Sequence, residues 1–205
     1  FVDMSEKPHP EADMRNSENK KWYADKIMLA GSREIVKSDD YLRLCEMRDN
    51  LLNYSKNDRF PVQEILAFSQ FEQSYFTDDF HGIKAKCRPD IDNSIGIWDL
   101  KTTTSANPQS CLKSIEKFRY DIQAAWYQDV YEAVTGIKKP FFLIFVETVE
   151  PYDNYIMQMP EDWIEIGRID YMLAINRIIE FRQTNAIKGY MDYIDGVFDT
   201  PETPY

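Results

Sequence analysis

Arg88-Pro89-Asp90, eight intervening residues, then Asp99-Leu100-Lys101: this stretch holds the side chains best suited to chemistry. On a strand, positions i and i+2 share a face, so Asp99 and Lys101 point the same way. Asp90 ends a preceding strand, and a turn at Asp92-Asn93-Ser94 can fold it back to bring Asp90 to Asp99. Two carboxylates held close repel unless a cation joins them. Hard oxygen ligands suit Mg²⁺ or Mn²⁺, which keep some waters and take substrate phosphate oxygens. Such an ion acidifies a bound water and stabilises charge building on phosphorus, and Lys101 can orient that water. The bland reading is a surface salt bridge beside a turn. The apolar flank Ile95, Ile97, Trp98 and Leu100 argues instead for a buried strand, where unpartnered charge is costly.

Gln123 and Tyr127 stand at i and i+4 on a helical segment, and so on one face. They can hold a substrate phosphate or Lys101 in place, although such a pair is also ordinary half-buried surface. The chain carries a net charge of −11, which speaks against a general nucleic-acid binder. The distribution matters more. From residue 84 to 119, Lys84, Lys86, Arg88, Lys101, Lys113, Lys117 and Arg119 face only Asp90, Asp92, Asp99 and Glu116. One basic island sits in an acidic chain.

With 205 residues and 43% hydrophobic content, the sequence suits one well-cored domain. It excludes collagen-like, low-complexity and disordered classes. The longest clean apolar run, Phe141 to Val146, is far short of the ~20 residues of a membrane span. Cys45, Cys87 and Cys111 form no CxxC pair, which points to a reducing, cytoplasmic setting and away from disulfides or structural zinc. Cys87 and Cys111 read as small buried hydrophobes.

The elements that must position these residues follow from local pattern. Residues 1–16 read as an extended arm. Ser17 caps a helix to about Ala30, stopped by Gly31. Ser38 caps a second to about Tyr54, with Leu44, Met47 and Leu51 at helical spacing. Pro61 opens a short helix through Leu66. Strands are expected over Phe68–Phe76, Ile83–Arg88 and Ile95–Thr102, with turns at 77–82 and 92–94, as a three-stranded antiparallel meander. Helices follow at Pro108–Phe118 and Ile122–Val134, then strands at Lys139–Thr148 and Tyr152–Met159, then a long helix from Pro160 to about Arg182. Residues 186–205 read as an irregular tail. The order is that of a mixed α/β domain.

Taken in order, these pieces resemble the PD-(D/E)XK nuclease superfamily, and within it the phage and prophage exodeoxyribonuclease VIII (RecE-like) family. Phe71-Glu72-Gln73-Ser74-Tyr75-Phe76 is similar to its Glu-bearing strand, Gly82 to Asp90 to its strand ending in Arg-Pro-Asp, Trp98 to Thr103 to its Asp-x-Lys-Thr strand, and Tyr120 to Tyr127 to its Gln-x-x-x-Tyr helix. The likeness covers about residues 60–160 well and Gly189-Tyr190 weakly. It implies a restriction-endonuclease-like α/β core: a mixed central sheet with an antiparallel meander, flanked by helices, in a single nuclease domain over 1–205. It implies Mg²⁺ (or Mn²⁺)-dependent 5′→3′ degradation of linear double-stranded DNA in phage-type recombination, a homo-oligomeric ring, and a single-strand annealing (RecT-like) partner. Asp90, Asp99 and the Leu100 carbonyl would then ligate metal. Lys101 would assist the water, Gln123 and Tyr127 would support the site, and Glu72 would belong to its shell. Lys86, Arg88, Thr102 and Lys113 are the expected DNA contacts.

Relatives also carry an earlier helix with a His in a Gly-Thr-x-x-His setting near the metal. Neither His9, in the polar arm, nor His81, in a turn, fits that place, and the expectation is that such a helix precedes Phe1-Val2-Asp3. Three other readings compete. A RecB-type or CRISPR-associated nuclease commonly holds an iron–sulfur cluster on four cysteines, against three here. A catalytically silent DNA-end-binding or assembly module would bind DNA without regard to metal. An acidic interaction domain would bind none.

Overall fold

In the computed structural model, residues 15–33, 36–54 and 61–186 are described. The expected arm, apart from Arg15 and Asn16, and the expected tail beyond residue 186 lie outside them.

The centre is a five-stranded mixed sheet. Its strands are β1 (Gln70–Phe71), β4 (Ile91–Asp92), β5 (Ile97–Thr103), β6 (Phe141–Glu147) and β7 (Asn154–Gln158), side by side in that order. β5 and β6 are parallel, with Asp99 opposite Leu143 and Lys101 opposite Phe145; the other pairs are antiparallel. A parallel pair needs a long crossover, supplied here by α4 (Pro108–Phe118) and α5 (Tyr120–Thr135). β2 (Tyr75–Phe80) and β3 (Ile83–Cys87) form a separate two-stranded sheet. The remaining helices are α1 (Ser17–Ala30), α2 (Ser38–Leu52), α3 (Val62–Ala67) and α6 (Glu161–Thr184).

β6 is buried at every residue because both sheet faces are covered. Phe141, Leu143 and Phe145 join the cluster beneath α5, α6 and the β2–β3 hairpin, with Ile97, Ala124, Ala125 and Ile164. Phe142, Ile144 and Val146 join Trp98, Met47, Val62 and Ile65 under α2 and α3. Trp98 stacks on Phe142 with ring centroids 4.0 Å apart.

Local rules explain most boundaries, and some differ from expectation. The side chain of Asn16, not Ser17, caps α1, accepting from Glu18 N at 2.8 Å. α2 begins at Ser38 itself, with Lys37 in the cap position. Asn107 caps α4, whose first residue is Pro108. Arg119, at φ +53°, ends α4 and starts α5 in a single left-handed residue.

The three strands expected as one meander divide between the two sheets. The segment expected as one strand, Phe68–Phe76, breaks at Glu72, which has φ +52°. β2 then runs through Thr77, Asp78 and Asp79, the residues expected to turn. The turn is His81-Gly82 alone, at φ +53° and +83°, the double left-handed step that matches hairpin twist. Gly82 N donates to Asp79 Oδ1 at 3.0 Å, so the Asp that reads as a turn residue braces the turn from inside the strand.

The β4–β5 turn is built around Asn93. Its buried Oδ1 accepts from Ile95 N (2.9 Å), Gly96 N (3.0 Å) and the Trp98 indole N–H (3.2 Å), while Nδ2 donates to Ser69 Oγ at 3.1 Å. Asn93→Ala would leave buried donors unmade, at a cost of about 2 kcal/mol, read as a Tm drop of roughly 4–8 °C by circular dichroism. A variant melting with the wild type would remove Asn93 from this role.

Candidate active site

β5 carries the centre of the site. Asp99 and Lys101 share the face toward α5, as strand parity demands. Lys101 Nζ meets Asp99 Oδ2 at 2.5 Å and donates to Gln123 Oε1 at 2.8 Å; Gln123 Nε2 donates to Asp99 Oδ1 at 2.7 Å. Three side chains from one strand and one helix thus close a triangle. The ammonium also lies 4.4 Å from the centroid of the Tyr120 ring, a cation–π contact at the first residue of α5.

Asp90 joins from the β4 side. Its Oδ2 accepts from Leu100 N at 2.7 Å. A strand residue's N–H and C=O leave by the same edge, so the Leu100 carbonyl opens toward Asp90 rather than toward β6. The β4–β5 ladder stops at the Ile91–Trp98 pair, which leaves that edge uncovered just where Asp90 stands.

Asp99 is 4% exposed. Burial pushes its carboxyl above the usual carboxylate range; Lys101 and Gln123 pull it back, and nearby Asp90 pushes it up again. Its Oδ2 faces the Lys101 ammonium but has no aligned hydrogen bond. The Tyr127 hydroxyl is also raised, by burial first. Its ring stands edge-on to Phe141, with centroids 6.1 Å apart.

A buried carboxylate whose Oδ2 meets only the Lys101 ammonium, a second carboxylate beside it and an open carbonyl make a set of hard oxygen donors. That chemistry fits a divalent cation of the Mg²⁺ class. Among the described residues, no three His, Cys, Asp or Glu side chains cluster as a metal site. The set present is therefore two carboxylates and one carbonyl.

The other expected residues stand further out. Glu72 N donates to the Asp90 carbonyl at 3.1 Å, so its backbone belongs to the site's edge. Its side chain turns to Arg88, which meets it at 3.0 Å with both partners more than half exposed. Glu72 is thus beside the site without joining the triangle. Lys86 and Lys113 are exposed, and the Lys86 carbonyl accepts from the Trp126 indole at 2.9 Å. Thr102 is exposed and lines a cleft with Tyr120. His81 lies in the hairpin turn, away from the triangle.

The cysteines behave as expected of core residues. Cys87 and Cys111 are buried, and burial pushes their thiols up to about 12 and about 11. Thiols held protonated are poor ligands for a metal cluster.

Sequence reasoning missed three supports. Tyr120 under Lys101 was read only as the start of a motif. Asp92 reads from sequence as a turn residue and one of the island's negative charges, yet it is buried, ion-paired with Lys139 Nζ and hydrogen-bonded by the Tyr75 hydroxyl. Gly167 on α6 lies against the backbone of Asp121, which permits α5 its position. A charge in an apolar window could have flagged Asp92; nothing local marks the other two.

Comparisons with known proteins agree with the fold. A family model described as "PDDEXK-like domain of unknown function (DUF3799)" matches residues 1–195. A crystal structure described as "Putative exonuclease" from Eubacterium rectale is similar with a TM-score of 0.59 and 18% identity, covering 87% of this chain and 74% of that one. A structure of SSO0001 matches more loosely, with a TM-score of 0.31 and 14% identity over 76% of this chain and 68% of that one. No curated protein matches the chain. Among the described residues no helix is long and apolar enough to cross a membrane.

Proposed function

The chain belongs to the PDDEXK-like domain family, and from that premise we propose that it is a divalent-metal-dependent exodeoxyribonuclease acting on the ends of linear double-stranded DNA. The observation that carries this reading is the Asp99–Lys101–Gln123 triangle, with Asp90 held one strand away on Leu100 N.

Asp90, Asp99 and the Leu100 carbonyl would hold the ion, Mg²⁺ or Mn²⁺. When bound, it supplies an acidified water and neutralises charge on the phosphate. Lys101 does the rest of the positioning. An ammonium has three N–H donors. The Asp99 ion pair and the Gln123 hydrogen bond occupy two sides of it, and its remaining side is left for the attacking water or a non-bridging phosphate oxygen. Gln123 bridges Lys101 and Asp99, so neither can rotate alone. Tyr120 covers a further side of the ammonium, and Tyr127 packs α5 against β6 through Phe141. The 5′→3′ direction, a ring assembly, a single-strand annealing partner and a role in phage recombination rest on the likeness of the motif set.

The test is digestion of linear duplexes labelled separately at each end, with Mg²⁺ and with EDTA. Metal-dependent release of the 5′ label is expected. Failure to cut linear DNA with either Mg²⁺ or Mn²⁺ would overturn the reading. Equal DNA binding with and without metal in that case favours the silent binding module, which the two-carboxylate set also allows.

Metal binding should also appear as stability. A hundredfold excess over Kd raises Tm by about 5–11 °C for a chain of this size. The effect requires ionised Asp99. Because its carboxyl is raised, its contribution to metal-free stability is present at low pH and lost as pH rises through the folded value. Metal gain runs the other way, growing as pH rises through that same value. Mg²⁺ titrations in thermal melts at several pH values should therefore show a shift that fades on acidification and is absent in Asp99→Asn. A shift that persists unchanged in Asp99→Asn would place the metal elsewhere.

A further inference from the structure

Beyond Lys101 the surface opens into a cleft of about 330 Å³, walled by Thr103, Thr104, Ser114, Phe118, Tyr120 and Thr148. The geometry points to this cleft as a subsite for a single unpaired nucleotide of the strand being cut, with its base on Phe118. The inference rests on the nuclease reading and deepens it.

Four observations converge. Phe118 and Tyr120 are stacked, with centroids 5.7 Å apart and planes 26° from parallel, yet Phe118 remains 57% exposed. A large aromatic left open beside polar groups suits a base, because every base offers a π-face. Tyr120 also contacts the Lys101 ammonium, so the platform and the reacting end of the site share a residue.

The polar lining divides usefully. Thr103, Ser114 and Thr148 spend their hydroxyls on backbone carbonyls of Ser105, Ser110 and Thr103. Thr104, just past the end of β5, is exposed and its hydroxyl makes no hydrogen bond among the described residues, which leaves it for a phosphate or sugar; Thr102, paired with Val146, turns its side chain to the opposite sheet face. Lys117 lies 5.1 Å from the Phe118 ring centroid, and Lys113 stands one turn earlier on α4. The Lys117 ammonium lies over the ring, so a base stacking there would displace it toward its own phosphate.

At about 330 Å³ the cleft matches one nucleotide rather than a stacked base pair. The terminal pair must open for the strand to enter, so frayed or single-stranded ends should be preferred over blunt, GC-rich ends.

The test is anisotropy binding of a short single-stranded oligonucleotide labelled at its 3′ end, in EDTA so that no cleavage occurs. Phe118→Ala is expected to weaken binding about tenfold, since base–aromatic stacking is worth about 5- to 150-fold per base. Phe118→Tyr should bind within about twofold of wild type, and equal melting temperatures would show that the variants are folded. Phe118→Ala binding as tightly as wild type would overturn the subsite while leaving Mg²⁺-dependent cleavage by wild type untouched. If wild type neither binds nor cuts DNA at low salt, the nuclease reading falls and the subsite with it. A destabilised Phe118→Ala is replaced by Phe118→Leu, which keeps an apolar side chain without a flat ring and is expected to weaken binding several-fold; no change there also overturns the subsite.

Discussion

Lys101→Ala is expected to lower Mg²⁺-dependent DNA cleavage by about 10³-fold, the usual scale for losing one preorganised donor to a developing charge. The geometry explains why so much rests on one amine. Lys101 is bound to Asp99 and Gln123 and backed by Tyr120, so its remaining side is aimed rather than free to wander. Lys101→Arg should not rescue the rate, because a planar fork cannot occupy the place of a point-like ammonium between those two partners. Some stability is lost as well. Asp99 would stay buried without its cation, and its already raised carboxyl would rise further. Initial rates on end-labelled duplex, taken well below the variant's melting temperature, separate the two effects. Undiminished cleavage in folded Lys101→Ala would remove Lys101 from the chemistry and with it the assignment.

Gly167→Ala carries the largest expected stability effect. A Cβ there would stand 2.2 Å from the Asp121 carbonyl oxygen and 2.4 Å from its carbon, both backbone atoms that cannot swing aside. Alanine's better helix propensity returns about 1 kcal/mol. The clash outweighs that, and a net loss of about 3 kcal/mol is expected, roughly 6–12 °C in Tm. Neighbouring contacts resist any relief by sliding. Arg168 grips Asp129 through two bonds of 2.6 and 2.7 Å, and Arg119 bridges Asp121 and Asp170. Activity should fall further than melting predicts, because Gln123 follows Asp121 by two residues on the displaced helix. Thermal melts and cleavage rates of the same preparation check both halves. A melt within about 2 °C of wild type would mean that α5 and α6 are not locked at this crossing.

Local rules made part of this site legible from residue types alone. Strand parity put Asp99 and Lys101 on one face, helical periodicity put Gln123 beside Tyr127, and the segment around the apolar run Phe141–Val146 was legible as a strand, which the structure buries at every residue of β6. The helix limits of α4, α5 and α6 came within a few residues because caps and breakers act over one turn. The basic island was visible too, but its Arg88 turns to Glu72, a pairing that residue counts do not reveal.

Partner choice was decided by tertiary packing. Nothing local says that Lys101 meets Gln123 twenty-two positions on, or that Asp90 spends its oxygen on Leu100 N. Nor does a strand pattern say which sheet it joins. β3 alternates as a half-buried strand should, yet among the described residues it pairs only with β2, while β5 takes β4 on one edge and β6 on the other. Backbone dihedrals and side-chain direction are set by neighbours in the chain. Register, sheet membership and the room that Gly167 leaves for α5 are set by which surfaces exclude water together, and those surfaces exist only once the chain has closed on itself.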